Sequence, residues 1–69
     1  MYTNLKENLH KKGITVRSYA EFLGVSEKTV QNKIRGATDF TLTEAEKTRR
    51  VLFPEYDMFF LFKSDTHTN

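Results

Sequence analysis

Between residues 27 and 35 the chain reads EKTVQNKIR, in which only Val30 and Ile34, four apart, are apolar. On a helix those two turn inward together. Glu27, Lys28, Thr29, Gln31, Asn32, Lys33 and Arg35 are then left facing outward. The chemistry open to such a set is recognition of nucleic-acid bases and phosphates. In a DNA major groove Asn and Gln pair bidentately with adenine, Lys reaches guanine, and Glu accepts from cytosine N4. Ser26, at the head of the segment, suits a phosphate together with its neighbouring amides.

No other residue set competes. His10 and His67 lie far apart, Cys is absent, and no spacing suggests metal ligands. Glu44 and Glu46 are two apart and do not share a helix face, so they suit a helix dipole better than paired acid–base chemistry. Lys47, Arg49 and Arg50 most simply fit the opposite pole of the same helix, with a backbone-phosphate contact as the alternative. There is no Gly-rich phosphate loop, and 69 residues offer no cleft for a catalytic triad. The expectation is a chain that is not an enzyme, with no cofactor, no metal and no small-molecule substrate.

The elements that must position these residues all read as helix. Thr3 can cap a first helix over 4–12, with Leu5 and Leu9 as its buried stripe and Gly13 as its stop. Ile14 anchors the link that follows. Thr15 caps a second helix over 16–23, with Tyr19, Ala20 and Leu23 inward and Phe22 at the edge. Gly24 supplies the positive φ for a sharp turn, and Ser26 caps the third helix, 27–35, which Gly36 ends. Ala20 permits close approach of the two helices, and Val25 and Val30 fill the angle between them. Thr41 with Glu44 offers a capping box for a fourth helix, and Thr43 with Glu46 a competing one two residues on; its inner face is Leu42, Ala45 and Leu52. Pro54 breaks that helix and can open a fifth over 55–62. The fold class is therefore all-α with five helices.

Length allows one domain, assigned to residues 1–63, followed by a polar flexible tail at 64–69. The net charge of +2 is unevenly placed. Up to Arg35 seven Lys/Arg stand against three acids, whereas four basic residues stand against six acids in the rest. A basic half suits a polyanion. The longest apolar run, 58–62, is too short to cross a bilayer, and no apolar signal core opens the chain. With Cys absent as well, a reducing cytoplasm and no membrane are expected.

The stretch AEFLGVSEKTV at 20–30 resembles the helix-turn-helix of the lambda repressor/Cro-like family. FTLTEA at 40–45 and LFPEYD at 52–57 resemble its small members from phages and mobile elements of Gram-positive bacteria. The likeness spans about residues 4–62. It implies a compact five-helix lambda-repressor-like domain with a central helix-turn-helix. The implied function is a phage-type transcriptional regulator that binds double-stranded operator DNA through its third helix, usually as a homodimer, in the cytoplasm of a bacterial host cell. By the same resemblance, Glu27, Lys28 and Asn32 face base edges, and Thr29, Gln31 and Arg35 contact bases or nearby phosphates.

Two departures from that family pattern matter. Val16 stands where relatives commonly carry a Gln that holds a phosphate, and Val has no donor; Arg17 beside it compensates through charge. Tyr19 replaces the usual Leu as a core substitution. The second departure is Met58-Phe59-Phe60-Leu61-Phe62. Five consecutive apolar residues wrap right round a short helix, so one small core cannot bury them all. Met58, Phe59 and Phe62 are the expected protein interface. That interface serves either a homodimer or a heteromeric complex with a phage repressor. In the latter case the chain is a modulator of a genetic switch, with weak or no DNA binding alone.

Overall fold

Side-chain caps and left-handed glycines divide this chain into helices. The computed structural model describes residues 1–64. Among them are five α-helices and no strand: α1 (Thr3–Lys11), α2 (Val16–Leu23), α3 (Glu27–Arg35), α4 (Leu42–Lys47), and α5 (Met58–Leu61). α4 runs on into a π-helical turn, Thr48–Leu52. Thr15 accepts from the Ser18 amide at 3.0 Å, and Ser26 accepts from the Thr29 amide at 3.1 Å. At α4 the capping box is complete: Thr41 Oγ1 accepts from the Glu44 amide, and Glu44 Oε1 accepts from the Thr41 amide. These contacts satisfy amides that a helix start would otherwise leave unpaired.

The turn between α2 and α3 depends on Gly24, whose φ of 75° is left-handed. That conformation lets the Gly24 and Val25 amides double back onto the Ala20 carbonyl, at 2.8 and 3.0 Å. α2 then packs directly on α3, with Ala20 buried where the two approach. The core gathers Leu5 and Leu9 from α1, Tyr19 and Ala20 from α2, and Val30 and Ile34 from α3. Phe53 and Leu61 complete it. Ile14, Phe22, Leu23 and Val25 pack around its edge. The all-α, five-helix expectation therefore holds.

Several local expectations do not. Thr3 does not cap α1: Tyr2 holds that position without a side-chain cap. The Tyr2 amide instead donates to the Ile34 carbonyl at 2.8 Å, which fastens the entry of α1 to the last turn of α3. Leu42 does not face inward; it is 76% exposed, while Ala45 is buried and Leu52 half-buried. As the first residue after its cap, Leu42 precedes the part of α4 that reaches the core.

The helix over residues 42–52 is also not uniform. The Thr48 hydroxyl donates to the Glu44 carbonyl at 2.8 Å, and the Tyr19 phenol lies 2.8 Å from Thr48 Oγ1. Thr48 has one hydroxyl proton and it points to Glu44, so Tyr19 is the donor to Thr48. Downstream the ladder widens, and the Phe53 amide is shared between the Thr48 and Arg49 carbonyls at 3.2 and 3.0 Å. Phe53, the next residue, is fully buried.

α5 is one turn rather than a helix over 55–62. Asp57 is extended, and its carboxylate accepts from the Phe60 amide at 2.8 Å, a stronger start than Pro54 offers. Pro54 thus ends one helix without opening the next. Asn4 Nδ2 donates to the Phe60 carbonyl at 2.8 Å and ties α5 to α1. The tail expected at 64–69 lies, apart from Ser64, outside the described residues, as does His67.

Candidate nucleic-acid interface

α3 presents its polar face because its two apolar residues are spent on the core: Val30 is fully buried and Ile34 nearly so. Glu27, Lys28, Gln31 and Arg35 are exposed and share that outward side. Asn32 is half-buried, and its Oδ1 accepts from the Arg35 guanidinium at 2.6 Å. That contact presets both side chains and leaves the Asn32 amide nitrogen available. Ser26 and Thr29 are more constrained. Their hydroxyls lie 2.9 Å apart, and Ser26 Oγ already takes the Thr29 amide, so Ser26 is first a helix cap. Arg17 is well exposed at the start of α2, 3.7 Å from Glu21 in a loose surface pair.

Lys33 requires correction. It is only 8% exposed, and its ammonium lies 2.9 Å from Glu44 Oε1 and donates to the Asp39 carbonyl at 2.9 Å. The Phe40 ring lies beneath it, 5.7 Å from Nζ. This cation fastens α3 to the loop at 37–40 and to the head of α4, and it is withdrawn from the polar face. Burial by itself would raise the Glu44 carboxyl. The Thr41 amide and the Lys33 ammonium outweigh burial and hold Glu44 below its ordinary value of 4.5.

Other cations are also spent inside the molecule. Lys12 pairs with Glu55 at 2.9 Å, donates to the Leu52 carbonyl, and sits over Phe53. Lys47 donates to the Phe22 carbonyl from above the Phe22 ring. Lys6 and Lys28 have no ion-pair partner among the described residues. Both line an open groove of 460 Å³ between α1, the start of α2 and α3, together with Val16, Gln31, Asn32 and Arg35. Among the described residues no acid lines that groove. Lys6 was not legible as part of this face. It follows the buried Leu5 on a separate helix, and only the packing of α1 on α3 brings it beside Lys28.

The C-terminal apolar residues divide. Phe59 is 88% exposed and Phe60 41% exposed. Met58 is half-buried. Phe62 does not belong to the exposed set. Its ring meets Phe40 and Tyr2 edge-on, with centroids at 5.1 and 6.1 Å, and it packs against the core. The Phe60 ring lies tilted against Tyr56, with centroids 4.8 Å apart, but keeps an open side. Leu42 and Val51 are further exposed apolar side chains.

Among the described residues, no helix is long and apolar enough to cross a membrane. No three of their His, Asp or Glu side chains gather where they would hold a metal ion. No protein-family model, curated protein or solved structure matches this chain.

Proposed function

We propose that this chain is a phage-type helix-turn-helix transcriptional regulator that binds operator DNA through α3. The observation that carries the reading is the unspent polar face of α3. Lys28, Gln31, Asn32 and Arg35 point out of the fold beside Lys6, while nearby Lys12, Lys33 and Lys47 are consumed by internal contacts. Glu27, exposed on the first turn, suits a cytosine amino group and repels a phosphate. The DNA-binding set is therefore Lys28, Gln31, Asn32 and Arg35, with Glu27 as a base contact and Arg17 and the Ser26 cap at its margin.

One domain presents one such helix, so a partly symmetric operator needs two copies, with half-sites about 34 Å apart on one face of the duplex. Gel-shift titration against DNA from the gene's own locus tests the reading. Specific binding that weakens steeply with salt and disappears on joint charge reversal of Lys28 and Arg35 supports it. Absence of any shifted species at low salt with associated protein rules it out.

The exposed Phe59 favours a second reading, in which the chain modulates a genetic switch by binding a partner repressor. Sizing chromatography with the neighbouring regulator separates the two. Co-migration at micromolar concentration that survives the Lys28 and Arg35 reversals supports the modulator. Independent migration rejects it.

A further inference from the structure

Lys6 is an exposed cation on α1, outside the helix expected to enter DNA. The hydrogen bond from the Tyr2 amide to the Ile34 carbonyl fixes where it stands. That bond pins the entry of α1 against the last turn of α3, so Lys6 shares a groove with Lys28 and Arg35. Val16, which has no donor, also lines this groove, and no acid among the described residues does. Its lysines and arginine come from two helices: Lys6 from α1, and Lys28 and Arg35 from α3. Packed helices lie about 8–10 Å apart axis to axis. A DNA major groove is about 12 Å wide, with phosphates along both walls. A helix centred in that groove therefore sets its packed neighbour over one phosphate strand, within reach of a lysine side chain.

We propose that Lys6 binds a DNA backbone phosphate flanking the α3 contact, and that it sets the register of α3 in the groove. The assignment rests on the reading of α3 as the DNA-contacting helix. A phosphate contact of this kind positions the protein and carries no sequence information.

The test uses the full chain and fluorescence anisotropy on two labelled duplexes of about 30 base pairs, one of mixed sequence and one from the gene's own locus, over about 50 to about 200 mM salt. Lys6→Gln should lower affinity by about five- to tenfold at the low-salt end, equally for both duplexes. It should also reduce the slope of log K against log salt by about 0.9. Lys6→Arg should restore both quantities. Circular dichroism should show unchanged thermal unfolding for either variant, because the Lys6 ammonium makes no ion pair among the described residues and the backbone bond from its amide to the Tyr2 carbonyl is kept in both.

If Lys6→Gln keeps the wild-type slope while Lys28→Gln lowers it, the assignment to Lys6 is overturned and the α3 reading stands. If the wild type shows no salt-dependent binding to either duplex, both fall together. Should Lys6→Gln lose binding to a poly-glutamate peptide yet bind DNA unchanged, the groove belongs to an acidic protein partner and the proposal is overturned.

Discussion

Tyr19 shows how a polar atom can be carried into a small core without cost. Its ring is fully buried, and burial pushes its phenol well above the ordinary range, so it stays neutral at any physiological pH. The hydroxyl is satisfied by Thr48, and Thr48 by the Glu44 carbonyl. Removing the two ends of this relay should have unequal effects. Tyr19→Phe should cost about 1 kcal/mol, the net worth of one hydrogen bond. Thr48→Val should cost about 2 kcal/mol, because it strands a buried phenol. In urea unfolding, the double variant should fall short of the sum.

Lys33 and Glu44 form the second polar contact of this kind, and they make stability depend on pH. The Glu44 carboxyl is held below 4.5, so its contribution is complete above that value and is lost as pH falls through the lowered one. Unfolding free energy should therefore fall as the pH drops below the ordinary carboxylate range, and Glu44→Gln should flatten that fall. Lys33→Met should cost about 2 to 3 kcal/mol at neutral pH, somewhat less than for a wholly buried pair, since both side chains keep some solvent contact.

Among the elements, the α2–α3 pair is defined by its turn more than by its length. Gly24 has nothing within 4 Å of where a Cβ would stand, so crowding plays no part in its requirement. Its φ of 75° does. Gly24→Ala should cost about 1 kcal/mol through strain alone, read as a lower urea midpoint with an unchanged slope. Gly36 carries the same restriction at the end of α3 and has the Met1 backbone 3.4 Å from the added Cβ, so it tolerates substitution less. The caps at Thr15 and Ser26 were legible because each needs only neighbours three residues away, whereas two equally spaced boxes, Thr41 with Glu44 and Thr43 with Glu46, left the start of α4 for the structure to decide. The π-helical turn was not, because it depends on Thr48 meeting Tyr19 from another helix. Nor was the shortening of α5, which Asp57 decides in competition with Pro54.

At the scale of the whole molecule, the two candidate surfaces are built differently. The α3 face is polar and backed by a full core, whereas α5 is a single turn from which Phe59 projects. Phe59 makes almost no contact with its own fold. Phe59→Ser should leave unfolding free energy within about 0.5 kcal/mol of wild type. Sedimentation velocity should then show loss of self-association, or of association with a partner regulator. Equal sedimentation of variant and wild type under all conditions would remove Phe59 from any interface. Of the residues expected there, Phe62 is needed by the Tyr2–Phe40 cluster, and its replacement should destabilise the domain instead.

The sequence by itself determined the all-helical class, the bounds of α2 and α3 with their caps at Thr15 and Ser26, the left-handed turns and most of the outward polar face of α3. These follow from hydrogen bonds and periodicities that span at most a few residues. Tertiary structure alone decided which cations remain free. Lys33 and Lys28 are five residues apart on one helix, yet one is consumed by Glu44 and the other is not. That outcome depends on where α4 begins in space. The same holds for Lys6, which joins the α3 face only through the packing of α1. It holds again for Leu42 and Phe62, which exchange the inward and outward roles their positions suggest. Long-range packing selects among side chains that local pattern treats as equivalent.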